Sequence, residues 1–399
     1  MHLRSLRLHS FRAHADTRID LAPGVNLFVG PNGAGKTNLL EAVHYLCLSK
    51  SFLTSTDSHA VQRGATFMEI EGQFESERLS GTRVRLAYAP AEGKRAFVNG
   101  APLERLAELV GRVPVVVLSP SDHLLTDGGP SERRRFLDQT LSQAFPVYLD
   151  DLMKYRRALK QRNALLLQMR RGKSFAPGTM EAWNEELATL GARIVGRRRR
   201  FLDRFAGFLR EAYDLLGATG EEPSATYAPS VGADGDEPSP EADVDEFRRA
   251  LTRAARRERE MGRTLVGPHL DEITLQLDGF DVRPYASQGQ HRTMGLAMRI
   301  ATALFLRDHL DEPPVLLLDD VFGPLDPERT RAVFDLLDSD AVGQSLVTAA
   351  RSEPFADALD FSLAEHQAFS VVEGVVTSIA PESLLHPGGD LARSPVSLP

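Results

Sequence analysis

The residues best placed to do chemistry are Gly30, Pro31, Asn32, Gly33, Ala34, Gly35, Lys36 and Thr37. They match G-x-x-x-x-G-K-[ST] and stand between an apolar strand-like run, Val25–Val29, and a helical run that opens at Asn38. In such a loop the glycines let backbone N–H groups turn inward around phosphate oxygens, and the following helix adds its positive end. Lys36 is expected to reach the β- and γ-phosphates of a nucleotide, and the Thr37 hydroxyl to ligate Mg²⁺. The segment from Gly30 to Asn38 is therefore read as a site for ATP and Mg²⁺.

Two further constellations belong with that loop. Residues 315–318 form an apolar strand that ends in Asp319 and Asp320. A strand end holds a carboxylate rigidly beside the loop, so Asp319 is expected to orient Mg²⁺. Downstream of the loop, Ser287, Gly289 and Gln290 open a helix. A hydroxyl, a bare backbone N–H and a helix N-terminus together make an anion site, although the same residues alone also read as an ordinary helix N-cap. Pro324, Leu325 and Asp326 follow the acidic strand, and Asp326 doubles as an N-cap for a helix starting at Pro327.

The elements that must carry these residues are legible in outline. Leu3, Leu6, Leu8 and Phe11 give a near-alternating strand, and residues 68–98 alternate again before an Asn99-Gly100 turn. Residues 115–118 read as another buried strand. After Ser119-Pro120 the period changes. Leu141, Phe145, Tyr148, Leu152, Tyr155 and Leu159 recur at heptad spacing, with Pro146 breaking the run or starting its second helix. Trp183, Leu187, Leu190, Ile194, Phe201, Phe205 and Phe208 continue the rhythm, and core packing suffices to explain it. An acid-, Pro- and Gly-rich loop is predicted near 217–243, then a basic helix over 247–260. A strand over 273–277, helices over 290–309 and 327–337, a strand over 345–348 and a small β segment over 369–379 complete the pattern. The fold class is thus α/β, a mixed sheet with helices, split by an inserted, mostly α-helical lobe. The expected division is 1–118 with 261–381 for the ATPase lobe, 119–260 for the insertion with its acidic stretch near 217–246, and 382–399 for a mobile tail.

Composition narrows the class. The chain has 399 residues, 42% hydrophobic and 26% charged, with one cysteine. A lone Cys47 excludes a disulfide framework and a Cys-type zinc site within one chain. The first residues lack the apolar stretch of a signal peptide, and no run of about 18 apolar residues exists, so a cytoplasmic protein without a membrane span is expected. Net charge is −8, yet it is segregated: residues 131–171 hold ten basic and four acidic side chains, 193–210 seven and one, and 217–246 none and nine. Local basic surface governs nucleic-acid binding, so the clusters Arg133, Arg134 and Arg135, Arg156, Arg157 and Lys160, and Arg197, Arg198, Arg199 and Arg200 are candidate DNA contacts. Four consecutive arginines fan around most of a helix, so some of them must serve packing or ion pairs instead.

The order of the three nucleotide motifs resembles the ABC class of ATPases, with Gln288 in place of one glycine of the usual Ser-Gly-Gly-Gln signature. A wider set is similar to the RecF family of ABC/SMC-like heads: the run from Leu6 to Arg12, the run from Ser131 to Asp138, Gly267-Pro268-His269 with Asp271, Ala286 to Gln290, and Leu316 to Val321. The resemblance covers nearly the whole chain outside the acidic stretch and the tail. Leu270 departs from the basic residue expected after His269. The resemblance implies that Arg12 lies near the nucleotide and that Ser287 and Gly289 touch the γ-phosphate held by a second copy. It also implies that Asp326 sits in a D-loop at that dimer interface. Asp320 stands where the class usually has the Glu that activates the attacking water, which implies that Asp320 is the base, and Thr348 stands where many members have a γ-phosphate-sensing His. By the same resemblance the chain is an ATP-dependent homodimer that binds double-stranded DNA at gaps, hydrolyses ATP slowly and works with RecR and RecO to help RecA load in recombinational repair. Long-armed SMC proteins fit less well, because a helix of about 35 residues reaches only about 50 Å. A transporter ATPase subunit and a small-molecule kinase are the competing readings; the basic helical lobe argues against the first and Ser287 against the second.

Overall fold

The computed structural model describes residues 1–76, 81–176, 178–218, 220–231, 240–323, 325–339 and 341–384. They pack as two compact units: 1–121 with 215–217 and the chain from 302 onward, and 122–214 with 218–301. Residues 261–301, expected with the ATPase lobe, pack in the second unit.

The first unit starts with β1 (His2–Phe11), β2 (His14–Asp20), β3 (Val25–Val29), α1 (Lys36–Leu48), β4 (Met68–Glu75), β5 (Thr82–Ala89), β6 (Gly93–Val98), β7 (Ala101–Pro102) and β8 (Val115–Leu118). An antiparallel sheet has the order β2-β1-β4-β5-β6-β7. Leu3 and Leu6 would face opposite sides of a regular strand, yet both are buried, because an irregularity between Leu3 and Ser5 restores the inward phase. Asn99 and Gly100, both with positive φ, make the two-residue turn joining β6 to β7. Strand β2 carried little apolar signal; in HADTRID only His14, Thr17 and Ile19 face inward, and pairing with β1 makes it a strand.

The second unit comprises α2 (Pro130–Ala144), α3 (Pro146–Arg170), most of α4 (Thr179–Leu215), β9 (Pro223–Ala228), α5 (Pro240–Met261), β10 (Glu272–Leu277), β11 (Phe280–Asp281), α6 (Val282–Tyr285) and the first part of α7 (Gln288–Leu310). Pro146 stands at the first position of α3, where its missing N–H costs nothing. The predicted acidic loop is partly wrong: residues 223–228 form β9, paired with β10 through Ala225 and Thr226, whose small side chains hid it. Residues 232–239 of that stretch lie outside the described residues. The predicted basic helix begins earlier, at Pro240.

The chain returns to the first unit with β12 (Val315–Asp319), α8 (Pro327–Leu337), β13 (Ser345–Ala349), α9 (Glu353–Ala356), β14 (Gln367–Val372), β15 (Val375–Ile379) and α10 (Pro381–Leu384). The second large sheet has the order β15-β14-β3-β13-β12-β8, parallel except at the β15 edge. Its inner strands β3 and β13 are buried along their whole length, so neither shows an alternation of inward apolar and outward polar residues, and their polar members Asn26, Ser345 and Thr348 are buried too. Helix α1 packs against strands of both sheets, and every residue from Leu39 to Leu48 is buried. A helix covered all round shows no polar face. Gln344 ties the layers at one end: its Oε1 accepts from Leu3 N–H at 2.7 Å and its amide donates to the carbonyls of Leu3 and Ala22. Residues 385–399, most of the expected mobile tail, lie outside the described residues.

Candidate functional site

The phosphate loop links β3 to α1. Gly33 at φ 82° and Gly35 at φ 108° adopt left-handed backbone that other residues rarely accept, and Gly35 caps α1. A Cβ on Gly30 would lie 2.1 Å from the Val371 carbonyl oxygen of β14. The Lys36 ammonium folds back over the loop and donates to the carbonyls of Gly30 at 2.6 Å and Pro31 at 2.9 Å. Burial lowers its pKa, and Asp320 and Asp319 oppose that shift. The cation is thus largely withdrawn from water, at 9% exposure, and held where an anion would draw it off its carbonyls.

Strand β12 runs beside β13, which pairs with β3, so its end falls next to the loop. The Thr37 hydroxyl donates to Asp319 Oδ1 at 2.7 Å. Thr348, from β13, donates to the same oxygen at 2.9 Å and accepts the Asp320 N–H at 3.0 Å. Asp320 is exposed and sits at φ 50°, a backbone conformation that Asp tolerates better than most residues. One carboxylate and one hydroxyl in contact are hard oxygen donors of the kind Mg²⁺ takes alongside phosphate and water. Among the described residues no group of three or more His, Cys, Asp or Glu could hold a metal on its own, so any metal here would depend on nucleotide oxygens.

Several positions had no legible role in sequence. Glu41, fully buried on α1, receives the Arg12 guanidinium in a two-pronged bond of 2.8 and 2.6 Å and also the Ser51 hydroxyl. A third Arg12 nitrogen donates to the His59 carbonyl at 2.7 Å. Arg12, expected beside the nucleotide, is thus tied to the helix that starts at the phosphate loop. Thr348, expected at a sensor position, braces both aspartates. His14 and Gly374, unremarked in sequence, touch the loop's outer side.

In the second unit, Ser287 and Gln290 form a reciprocal cap. Ser287 Oγ accepts the Gln290 N–H at 3.2 Å, and Gln290 Oε1 accepts the Ser287 N–H at 2.8 Å. The Gln290 amide also donates to Glu221 at 2.9 Å. Ser287 and Gly289 are exposed, and the nearest atom to a Cβ on Gly289 would be Ser287 Oγ at 3.8 Å. Packing within the chain therefore does not demand a glycine there, although one inside a helix costs about 1 kcal/mol relative to alanine. In the first unit Asp326 accepts the Arg329 N–H at 2.9 Å and pairs with its guanidinium, capping α8; that backbone bond and the arginine lower its pKa. Pro324 lies outside the described residues.

The basic candidates sort by burial. Arg133 is buried and grips Glu272 with bonds of 2.8 and 2.9 Å; Arg198 is buried and donates to Tyr148, Asp138 and the Pro268 carbonyl. A guanidinium so enclosed has no face to offer a phosphate, which corrects their reading as DNA contacts. Arg134 donates to the Asp271 carbonyl, Arg156 pairs with Asp138, Arg197 with Asp151 and Arg199 with Asp243. Arg135, Arg157, Lys160 and Arg200 are exposed and form no ion pair among the described residues. No described helix is long and apolar enough to cross a membrane.

Comparison with known proteins bears on this geometry. The family described as RecF/RecN/SMC N terminal domain matches residues 2–371. The DNA replication and repair protein RecF of Salinibacter ruber (strain DSM 13855 / M31) is 53% identical over 375 residues, 94% of this chain and 91% of that protein. The protein of the same name from Chloroherpeton thalassium (strain ATCC 35110 / GB-78) is 40% identical over 357 residues, covering 90% and 97%. A solved structure of the recombination mediator protein RecF with ATP, in the RecFOR pathway, superposes with a TM-score of 0.85 at 28% identity and covers 95% of this chain and 98% of that one. The Smc head domain of Pyrococcus furiosus shares the fold, with a TM-score of 0.55 at 16% identity over 96% and 97%. The chain belongs to the RecF family, within the RecF/RecN/SMC group of ATPase heads.

Proposed function

We propose that this chain is an ATP-driven, DNA-binding switch of recombinational repair that works as a homodimer in the cytoplasm. The observation that carries the reading is the meeting of Thr37 with Asp319 at 2.7 Å beside Lys36, with Asp320 exposed next in the chain. Lys36 exchanges its two loop carbonyls for the β- and γ-phosphates. Thr37 and Asp319 hold Mg²⁺, which when bound offsets the charge developing on the transferred phosphoryl group. Asp320 takes the proton of the attacking water. Its side chain is one methylene shorter than glutamate, in keeping with slow turnover.

The second half of the site comes from another copy. Ser287 uses only an oxygen lone pair in its cap, so its hydroxyl hydrogen is free to donate to a γ-phosphate. Gly289, bare and open, lets that phosphate approach the start of α7. ATP thereby joins two chains, and Asp326 lies in the loop facing the partner. Duplex DNA at gaps is held by phosphate contacts from Arg135, Arg157, Lys160 and Arg200, doubled by dimerisation. RecR and RecO are the partners that the RecFOR relative suggests. The test is the ATPase rate, and sedimentation with ATP or ADP, each with and without duplex DNA. DNA-stimulated hydrolysis and an ATP-only dimer are expected. A rate indifferent to DNA, with a monomer in ATP, would overturn the proposal.

A further inference from the structure

Two turns close on the outer side of the phosphate loop. In the β14–β15 turn, the Gly374 N–H donates to the Ala34 carbonyl at 2.9 Å. At the start of β2, just past the β1–β2 turn, His14 is fully buried, with Nε2 3.1 Å from the Gly35 carbonyl oxygen and Nδ1 2.8 Å from the Gly374 carbonyl oxygen. The Gly374 carbonyl accepts the Thr17 hydroxyl at 3.3 Å, so it keeps a donor when the ring proton sits on Nε2 and Nδ1 has none to give. The corner leaves no slack: a Cβ on Gly374, which stands at φ 81°, would lie 2.1 Å from the Ala13 carbonyl oxygen, and one on Gly35 3.1 Å from His14 Nε2.

Peptide geometry gives this corner a consequence. In a trans peptide the C=O and N–H point in opposite directions, and no cis peptide occurs among the described residues. The Ala34 carbonyl shares its peptide with the Gly35 N–H, and the Gly35 carbonyl shares its peptide with the Lys36 N–H. The first carbonyl is drawn toward the Gly374 N–H, and the second toward the imidazole when Nε2 carries the single ring proton. The two N–H groups therefore turn the other way, as an anion-binding nest requires. The Gly35 carbonyl also accepts the Asn38 N–H at 3.0 Å in the first turn of α1, so His14 occupies its second acceptor position.

We propose that His14 is a positioning residue for the phosphate loop: by donating from Nε2 to the Gly35 carbonyl, it keeps the Gly35 and Lys36 N–H groups aimed at the nucleotide's phosphates. The proposal rests on the reading of residues 30–37 as an ATP site. Without the brace, the Gly35–Lys36 peptide can turn and present an oxygen to the phosphate.

The two ring nitrogens can be mimicked separately. An asparagine amide reaches the Nδ1 position and a glutamine amide the Nε2 position. ATP and ADP affinities of the full chain are measured by equilibrium titration for H14Q, H14N and H14F, with melting temperatures of the nucleotide-free proteins alongside. H14N and H14F are expected to bind both nucleotides about tenfold more weakly, the worth of one hydrogen bond to a charged group. H14Q, which restores the contact to Gly35, is expected to stay within about threefold of the wild type, a shift smaller than half that bond's worth. H14N and H14F binding as tightly as the wild type would overturn the brace. So would H14Q and H14N losing affinity equally and in step with their melting temperatures, which marks a purely structural histidine. Lys36→Ala separates the two levels: if it binds ATP normally, the ATP-site reading itself fails, whereas lost binding there with unaltered H14N removes only the brace.

Discussion

Thr348→Val tests whether the acidic strand end is held by a strut or read by a sensor. Thr348 is 1% exposed, and its hydroxyl makes two bonds, to Asp319 at 2.9 Å and from the Asp320 N–H at 3.0 Å. Valine keeps the shape and removes both. Asp319 retains its bond from Thr37, so the carboxylate loses one donor of two, while the Asp320 N–H loses its protein partner. A hydrogen bond to a charged group contributes about 1.5–3 kcal/mol and an unsatisfied buried N–H costs about 1–3 kcal/mol, but Asp320 borders solvent and water relieves part of the loss. A net destabilisation of about 2 kcal/mol is expected, lowering the melting temperature by about 4–8 °C for a unit of this size. A loosened Asp319 also holds Mg²⁺ less well, so the Mg²⁺ concentration for half-maximal nucleotide binding should rise about tenfold, equivalent to about 1.4 kcal/mol. The rise should be the same with ATP and ADP, because the strut acts on the metal ligand and not on the γ-phosphate. Melting curves and Mg²⁺ titrations with each nucleotide read these quantities. An effect confined to ATP would show that Thr348 touches the γ-phosphate, and unaltered stability with unaltered Mg²⁺ dependence would refute the strut.

Asp320→Asn should keep Mg-ATP affinity and lose at least about a hundredfold in turnover, the usual worth of a general base, with the dimer accumulating on sizing; wild-type turnover would place the base elsewhere. Ser287→Arg should bind ATP normally yet remain a monomer by sedimentation, and normal dimerisation would refute the two-copy site. Replacing Arg135, Arg157, Lys160 and Arg200 together by alanine should lower the salt slope of duplex binding by about 0.9 for each phosphate left without its cation, with ATP affinity unaltered. Arg133→Ala should instead lower stability by about 3 kcal/mol, the low end for breaking a buried pair, since half-buried Glu272 is left without its partner; calorimetry decides between them. Burial lowers the pKa of His14 and of His269 below the ordinary 6.5. The unfolded chain then binds more protons than the folded one below that value, so stability should be flat above about pH 6.5 and fall as the pH drops through it. His14→Gln should shallow that fall, and an unchanged slope in denaturant titrations would exclude His14 from it.

The chemistry of the nucleotide loop was legible because its residues are consecutive. Gly33, Gly35, Lys36 and Thr37 act through backbone conformation and reach set within eight residues, so spacing alone carries the information. The same holds for Ser287 with Gln290 and for Asp326, whose caps close over three residues. Strands buried on both faces, such as β3, and helices with a heptad face also announce themselves, since burial acts on every residue or on a fixed period. What the sequence could not give are partnerships made across the fold. Thr348 meets Asp319 and Asp320 only because β13 lies parallel to β12. Glu41 and Arg12 find each other across α1 and the end of β1, and His14 reaches Gly35 and Gly374 from a strand with almost no apolar signature. The arginine clusters make the same point in reverse. Four adjacent arginines look alike in sequence, yet a helix turns each by about 100°, so Arg198 enters the core to meet Tyr148 and Asp138 while Arg200 stays in water. Local geometry is written residue by residue; which charge is buried and which carboxylate is braced depends on neighbours that only folding brings near.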